Sequence, residues 1–85
     1  MYYVYVIKNE IEELYYGFSG DLKIRLEKHN AGLVASTKNH KWRLIYYEAY
    51  RSKKDALMRE KRLKHYGQSL NYLKQRIKHS LLNKN

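Results

Sequence analysis

The sequence predicts a small α+β domain in which helices cover a three-stranded, mostly antiparallel sheet. Two early segments, residues 2–8 and 14–18, are rich in β-branched and aromatic side chains and are separated by a polar stretch, which is typical of a β-hairpin. Later segments carry apolar residues at the helical spacings of three and four. The resulting order is strand, strand, helix, strand, helix, helix (ββαβαα), so we expect three helices flanking the sheet.

Alternation along the two predicted hairpin strands sorts their side chains into two faces. In the first strand, residues 3, 5 and 7 share one face, and residues 2, 4 and 6 share the other. In the second strand, residues 14, 16 and 18 share one face, whereas Tyr15 and Gly17 share the other. Because both faces of the first strand are apolar or aromatic, we expect both faces of the sheet to be covered.

The first predicted helix lies within "DLKIRLEKHNAG". This segment starts with an acidic residue, consists of good helix formers, and ends at Gly32 in the left-handed conformation. A basic loop without a sustained period follows over residues 32–42. The third strand is predicted over residues 43–50.

Capping residues delimit the other two predicted helices. The second helix begins at Ser52, with Asp55 as its capping-box partner, and runs to about His65. Gly67 ends it, and Ser69 caps a last helix. The apolar stripe of that last helix consists of Leu70, Leu73, Ile77 and Leu81.

The length of 85 residues allows one domain, which we place at residues 1–82, with residues 83–85 as a frayed tail. The chain has no Cys, no Pro and no apolar run long enough to span a membrane. Its start, "MYYVYVIK", lacks the basic and apolar segments of a secretory signal. We therefore expect a soluble, disulfide-free protein of the cytoplasm.

The net charge of +10 favours a polyanionic partner. Nucleic acid is the first candidate, and an acidic membrane surface is the second. We assign nucleic-acid contacts to Lys23 in the first helix and to Lys38 and Lys41 in the basic loop. The alternative is that the charge serves only solubility.

A carboxylate interrupts the apolar stripe of the second helix. At about 100° per residue, Ala56, Glu60 and Leu63 fall within one narrow sector of that helix. Because burial of an unpaired charge is costly, Glu60 must meet a cation, meet a metal ion or take up a proton. The alternatives are a structural ion pair with an arginine, or a helix rotated so that Glu60 reaches solvent.

Two potential cations border the apolar stripe of the first helix. Leu22 and Leu26 define the stripe, and Arg25 and His29 lie four residues apart along its edge. Both side chains are therefore predicted to point toward the sheet. The alternative is structural, with Arg25 as the partner of Glu60 and His29 as a satisfied histidine at the border of the core.

Two phenols complete the set of candidate site residues. Tyr5 and Tyr15 lie on paired strands, so both hydroxyls could emerge on one sheet face, where each needs a hydrogen-bond partner. Together with Arg25, His29 and Glu60 they would offer a ligand for a hard cation, a guanidinium for phosphate and groups for proton transfer. Phosphodiester hydrolysis needs these parts. A zinc site is not expected, because the histidines are scattered and Cys is absent.

Four segments of the chain resemble motifs of one nuclease family. Tyr3-Val4-Tyr5 stands where the family has its GIY triplet, and Tyr15-Tyr16-Gly17 stands where it has its YIG triplet. "DLKIRLEKHNAG" resembles the helix that carries the family arginine and histidine, and "ALMREKRLK" resembles the helix that carries its glutamate. By the order and spacing of these segments, the chain resembles the GIY-YIG nuclease superfamily, and specifically its small stand-alone bacterial members.

The resemblance implies Mg²⁺- or Mn²⁺-dependent hydrolysis of DNA with a single metal ion, in DNA repair or recombination. Glu60 would hold the ion, and Arg25 would neutralise the scissile phosphate. Tyr5 would activate water, while Tyr15 and His29 would orient the nucleophile or relay protons. The identity of the general base stays open at this point. The DNA could be branched, flapped or nicked, and a protein partner could supply substrate specificity.

Some residues depart from the family pattern. Tyr3 replaces the glycine of the first triplet, Tyr16 replaces the isoleucine of the second, and Phe18 stands where some relatives have a lysine. Asn71 is the candidate for an asparagine that some relatives use downstream of the glutamate. Two alternative functions follow: a nucleic-acid-binding module with the same fold but no turnover, and an adaptor for acidic partner proteins.

Overall fold

The computed structural model of the protein describes residues 1–82, and its elements follow the predicted order up to the last helix. Residues 83–85, for which we predict a frayed tail, lie outside the described residues. The strands are β1 (Tyr2–Asn9), β2 (Leu14–Ser19) and β3 (Trp42–Tyr50). The helices are α1 (Leu22–Asn30), α2 (Lys53–His65), α3 (Gly67–Arg76) and α4 (Lys78–Leu82), and a 3-10 turn spans Ala35–Thr37. The predicted α+β class with a three-stranded sheet is confirmed.

β1 is the central strand of the sheet, whose order is β2-β1-β3. Both pairings are antiparallel, as the alternating pattern predicts. Tyr5 of β1 lies opposite Gly17 on β2 and opposite Tyr47 on β3. A register shift between Val6 and Ile7 marks a β-bulge in the pairing of β1 with β3.

The two faces of the sheet carry separate cores, as the alternation predicts. On one face, Val4 and Val6 pack with buried residues of α2 and α3, among them Ala56, Leu63 and Leu73. Fully burying a side chain such as Val or Leu contributes roughly 1.5–3 kcal/mol. This cluster therefore fixes α2 and α3 against the sheet.

The opposite face of the sheet is covered by α1. Here Tyr5, Ile7 and Trp42 form the buried cluster, and Leu22 and Leu26 of α1 pack against it. Tyr5 is the residue of this cluster that carries a phenolic hydroxyl, so a polar group is buried beneath α1.

α1 begins and ends as predicted. Asp21 occupies the N-cap position, and its carboxylate accepts a hydrogen bond from the backbone N–H of Ile24 at 3.1 Å. Such a cap stabilises a helix by about 1 kcal/mol. Gly32 has φ +74°, a left-handed conformation that glycine adopts easily because it has no Cβ. The two ends thus fix the helix that carries Arg25 and His29.

The capping box predicted at the start of α2 is wrong. Ser52 occupies the N-cap position with an extended backbone (φ −95°, ψ 127°), but its side chain makes no cap hydrogen bond. Asp55 lies in the first turn, where a negative charge interacts favourably with the helix dipole. The backbone geometry at Ser52 suffices to begin the helix, so the sequence identified the position but not the contact.

The single last helix predicted from Ser69 consists of two helices. α3 already begins at Gly67, directly after the extended Tyr66, so Gly67 starts a helix as well as following the end of α2. The chain leaves helical geometry at Ile77 (φ −107°, ψ 26°), and α4 follows. Ile77 and Leu73 are both buried in the core. The break therefore allows apolar residues of both α3 and α4 to pack against the sheet. This is an effect of tertiary packing, which local propensity does not reveal.

The helices are short. The longest described helix, α2, has 13 residues, whereas a membrane-spanning helix needs about 20. Within residues 1–82, no helix is long and apolar enough to span a lipid bilayer.

Candidate active site

The hydroxyl of Tyr5 is the meeting point of the candidate site. Tyr5 comes from the central strand and is 2% exposed. Its oxygen lies 2.7 Å from Nε2 of His29 and accepts a hydrogen bond from Nε of Arg25 at 3.4 Å. Because Arg25 and His29 are four residues apart on α1, one helix places both beside the same phenol.

Gly17 makes room for the ring of Tyr5. It lies opposite Tyr5 in the pairing of β1 with β2, and the phenol lies against it. A Cβ atom at this position would lie 2.3 Å from both Cζ and the hydroxyl oxygen of Tyr5. That separation is far below van der Waals contact, so glycine is needed for the phenol to lie where it meets His29. The last residue of the YIG-like triplet therefore has a steric role in the site.

A directional chain of hydrogen bonds runs through His29. Nδ1 of His29 lies 2.6 Å from Oγ1 of Thr37, and the Thr37 hydroxyl donates to the carbonyl oxygen of Val34 at 3.4 Å. Since the single hydroxyl proton of Thr37 is used toward Val34, its oxygen accepts from a protonated Nδ1. From this network we assign a neutral His29 whose Nε2 accepts the proton of the Tyr5 hydroxyl.

Thr37 is a residue of the site that sequence reasoning missed, because it lies in the segment treated as a basic loop. It is 1% exposed and ends the 3-10 turn. Nε1 of Trp42 donates to the carbonyl oxygen of Thr37 at 2.8 Å. The side chain of Asn30 holds the backbone of Trp42 through hydrogen bonds of 2.6 and 3.0 Å. A lone tryptophan beside a polar loop is the signal that could have indicated this anchor.

Tyr15 lies on the same side of the sheet as Tyr5. Its ring packs at an angle against that of His29, with a centroid separation of 5.1 Å, and against that of Trp42 at 6.3 Å. Nζ of Lys64 lies 5.4 Å from the centroid of the Tyr15 ring, in a cation–π contact. Tyr15 thus connects the buried imidazole to one side of α2.

Glu60 borders this cluster from α2. Its side chain is 21% exposed, and Oε2 lies 3.3 Å from Nζ of Lys64, one helical turn later. The same ammonium stands over the ring of Tyr15, which places the carboxylate near the Tyr15 side of the site. The salt bridge of Glu60 is therefore with Lys64, whereas the predicted alternative was an arginine.

The charges of the site favour a protonated phenol and a neutral imidazole at neutral pH. Burial raises the pKa of Tyr5, the hydrogen bond from Arg25 opposes this, and the charge of Glu60 adds to it. The hydrogen bond to Tyr5 raises the pKa of Arg25, and the charge of Glu60 acts in the same direction. Burial and the positive charge of Arg25 lower the pKa of His29. The charge of Glu60 thus contributes to the pKa shifts of Tyr5 and Arg25, while its salt bridge is with Lys64.

The remaining predicted site residues lie outside this cluster. Lys23 is exposed on α1, and Lys38 and Lys41 are exposed in the loop between the 3-10 turn and β3. Asn71 is exposed on α3, a helix that packs against the sheet face opposite Tyr5. The hydrogen bonds of the Tyr5 network do not include it.

Glu60 has the chemistry of a ligand for a hard metal ion. Within residues 1–82, no group of three or more His, Cys, Asp or Glu side chains is placed to hold a metal ion. Carboxylate oxygen suits Mg²⁺ and Mn²⁺, and Mg²⁺ usually keeps several waters while binding substrate phosphate. The residues fit an ion held by one carboxylate and completed by water and phosphate, and they do not fit tetrahedral zinc.

Comparison with known proteins identifies the family of the chain. The family model described as the GIY-YIG catalytic domain matches residues 1–72. The UPF0213 proteins of Staphylococcus aureus strains Mu3, Mu50 and N315 are 40% identical to the chain over 67 residues, which cover 76% of this chain and 82% of each relative. No significant match is found among solved structures. The chain therefore belongs to the GIY-YIG family.

Proposed function

We propose that this protein is an endonuclease that hydrolyses phosphodiester bonds of DNA with the aid of one Mg²⁺ or Mn²⁺ ion. The observation that carries the proposal is the hydrogen-bonded chain from Arg25 through Tyr5 to His29. The net charge of +10 supports a polyanionic substrate. The proposed setting is DNA repair or recombination in the cytoplasm.

Glu60 is the residue proposed to hold the metal ion. Its carboxylate is partly exposed, and its partner Lys64 has a long, flexible and exposed side chain. The pair can therefore separate at little cost in free energy. When bound, the ion supplies Lewis-acid stabilisation of charge on the phosphate. Arg25 would face the same phosphate, since its guanidinium has further N–H donors besides the Nε that bonds Tyr5.

Tyr5 and His29 are proposed to move the proton of the attacking water. A free phenol has a pKa near 10, and burial raises the pKa of Tyr5, so a standing phenolate is not expected. A relay avoids this difficulty, because the water proton passes to the Tyr5 oxygen as the Tyr5 proton passes to Nε2 of His29. The water oxygen then bonds to phosphorus, the bond to the leaving oxygen breaks, and that oxygen takes up a proton from solvent.

The experiment is a cleavage assay on branched, flapped, nicked and fully paired DNA, with and without Mg²⁺ or Mn²⁺. We expect metal-dependent cleavage of at least one substrate by the wild type and loss of cleavage in Glu60→Gln. Glu27→Gln, which alters an exposed carboxylate on α1, is the matched control and should cleave normally. Absence of cleavage on every substrate, or equal cleavage by Glu60→Gln, would overturn the proposal.

A second candidate is a nucleic-acid-binding module without turnover. The salt bridge between Glu60 and Lys64 favours it, because Lys64 neutralises the carboxylate that a metal ion would need. This candidate predicts that the affinity for nucleic acid does not depend on divalent ions and falls as the salt concentration rises. For each phosphate contact, log affinity should fall by roughly 0.9 per log unit of salt concentration. Metal-dependent cleavage in the assay above would exclude it.

A further inference from the structure

Two tyrosines lie on the sheet face of the candidate site but outside the cluster that α1 covers. Tyr47 lies opposite Tyr5 in the pairing of β1 with β3, so both side chains project from the same face. Tyr3 lies two residues before Tyr5 on β1 and shares that face. The buried cluster beneath α1 consists of Tyr5, Ile7 and Trp42 with their apolar neighbours, and Tyr47 is 53% exposed. Core packing therefore does not explain the ring of Tyr47.

The rings of Tyr3 and Tyr47 contact each other. Their centroids are 5.9 Å apart and their planes meet at 70°, which is an edge-to-face arrangement. This contact restricts the rotamers of both side chains. An aromatic surface that is held in place before binding loses less conformational entropy when a ligand stacks on it.

The edge of the sheet next to Tyr47 has a hollow. β3 is an edge strand, and Leu44, Ile45, Tyr46 and Tyr47 line a hollow of about 340 Å³. The β-bulge lies at the same place, because Val6 pairs with Tyr46 and Ile7 with Leu44. Bulges re-aim side chains at sheet edges, and this one lies next to the exposed Tyr47.

The net charge of the molecule indicates what kind of partner it can bind. A net charge of +10 repels basic partners and attracts a polyanion. An exposed tyrosine ring on a positively charged molecule suits a ligand that combines flat aromatic groups with negative charge, and a DNA strand has both. In a duplex the faces of the bases are covered by their neighbours, so only an unpaired base can stack on a protein ring.

We propose that Tyr47, braced by Tyr3, is a stacking platform for an unpaired nucleobase of a DNA strand whose phosphate lies near Arg25. The substrate class is then DNA with a single-stranded portion, such as a flap or a fork, in preference to fully paired duplex. The inference rests on the proposed function in one respect, namely that the bound polymer is DNA. Whether the protein cleaves that DNA is a separate question.

Equilibrium binding without divalent ions tests the platform independently of cleavage. The ligands are a fluorescent flapped duplex, the same duplex with abasic units in the flap, and a paired duplex with the same number of phosphates. We expect the wild type to bind the natural flap roughly 5- to 100-fold more tightly than the abasic flap, the range of one stacked base. Tyr47→Ala should lose that factor, whereas Tyr47→Trp should keep it.

Tyr72→Ala is the matched control, because Tyr72 is 62% exposed and lies on α3, on the other face of the sheet. It should bind all three ligands like the wild type. The platform is wrong if wild type does not distinguish natural from abasic flaps, if Tyr47→Ala binds like wild type, or if Tyr72→Ala loses as much as Tyr47→Ala. Binding that depends on the flap bases, without cleavage, would support the platform and refute the nuclease proposal. Cleavage with binding that does not depend on the flap bases would support the nuclease proposal and refute the platform.

Discussion

The hydroxyl of Tyr5 and Nε2 of His29 are 2.7 Å apart, although 24 positions separate the two residues in the chain. This bond joins the central strand to α1 and lies between two further contacts, one from Arg25 and one from His29 to Thr37. The phenol therefore has both a donor and an acceptor beside it. A buried phenol in that situation has a fixed orientation and a route by which its proton can leave.

Removal of the space beside Tyr5 should destabilise the protein. In Gly17→Ala the new Cβ would lie 2.3 Å from the phenol, so the ring or β2 must move, and overpacking of this kind costs about 1–3 kcal/mol. Urea unfolding measures the change in the free energy of unfolding. Gly20→Ala is the matched control, since nothing lies within 4 Å of a Cβ there. Equal stability of Gly17→Ala and wild type would contradict the described position of Tyr5.

Thr37 should fix the tautomer of His29. ¹⁵N NMR of the imidazole is expected to show a proton on Nδ1 in the wild type, because the Thr37 hydroxyl accepts from that atom. Thr37→Val removes the acceptor, leaves a buried N–H unpaired at a cost of about 1–3 kcal/mol, and should shift the proton toward Nε2. Thr37→Ser keeps the hydroxyl and should preserve the wild-type spectrum. A wild-type imidazole protonated on Nε2 would refute the assigned direction of the relay.

The pH dependence of cleavage should report His29. Burial and the charge of Arg25 lower the pKa of His29 below the ordinary histidine value of 6.5. A base must be neutral to accept a proton, so activity should hold at pH 6.5 and fall only at lower pH. Stability should fall in the same direction, since the unfolded chain takes up the proton more readily than the folded one below pH 6.5. A profile of kcat against pH checks this, and an acid limb centred at pH 7 or above would contradict it.

Glu48 should stabilise the protein from the sheet face that packs against α2 and α3. Its carboxylate accepts hydrogen bonds from the Tyr46 and Tyr50 hydroxyls and two from Arg59, at 2.9 and 3.0 Å. Burial alone would raise the pKa of Glu48, but the bonds from Arg59 and the two phenols outweigh it and lower the pKa. The stabilisation is thus present above the ordinary value of 4.5 and is lost as pH falls through the lower folded value.

Glu48→Gln should therefore lower the free energy of unfolding at pH 7 by roughly 3 kcal/mol, because the partly buried Arg59 loses its partner. The difference from wild type should shrink as pH falls below 4.5. Glu27→Gln changes an exposed carboxylate and should alter stability by less than about 0.5 kcal/mol. A Glu48→Gln protein as stable as wild type at neutral pH would count against this network.

Local periodicity was enough to predict the parts of the site that come from regular elements. The two-residue period of β1 put Tyr5 on one face, and the four-residue spacing on α1 put Arg25 beside His29. Both predictions depend only on backbone geometry within one element. The antiparallel pairing then determined that Gly17 would lie beside Tyr5.

Features that depend on contacts between elements could not be read from the sequence. Thr37 has no periodic neighbours, and its role follows from where Trp42 holds the loop. The break at Ile77 follows from packing on the sheet. Both features require the relative placement of two elements, which no single pattern encodes. The pairing of Glu60 with Lys64 is different, because the two residues are four apart on α2 and that spacing alone could have predicted it.

The most direct test of the proton relay through Tyr5 is the single-turnover cleavage rate of Tyr5→Phe at saturating DNA and Mg²⁺. Phenylalanine keeps the ring over Gly17 and removes only the hydroxyl that joins Arg25 to His29. We expect a rate about 10² to 10⁴ times lower than wild type with little change in DNA affinity. Cleavage by Tyr5→Phe at the wild-type rate would show that the phenol takes no part in the chemistry and would contradict the proposed proton relay.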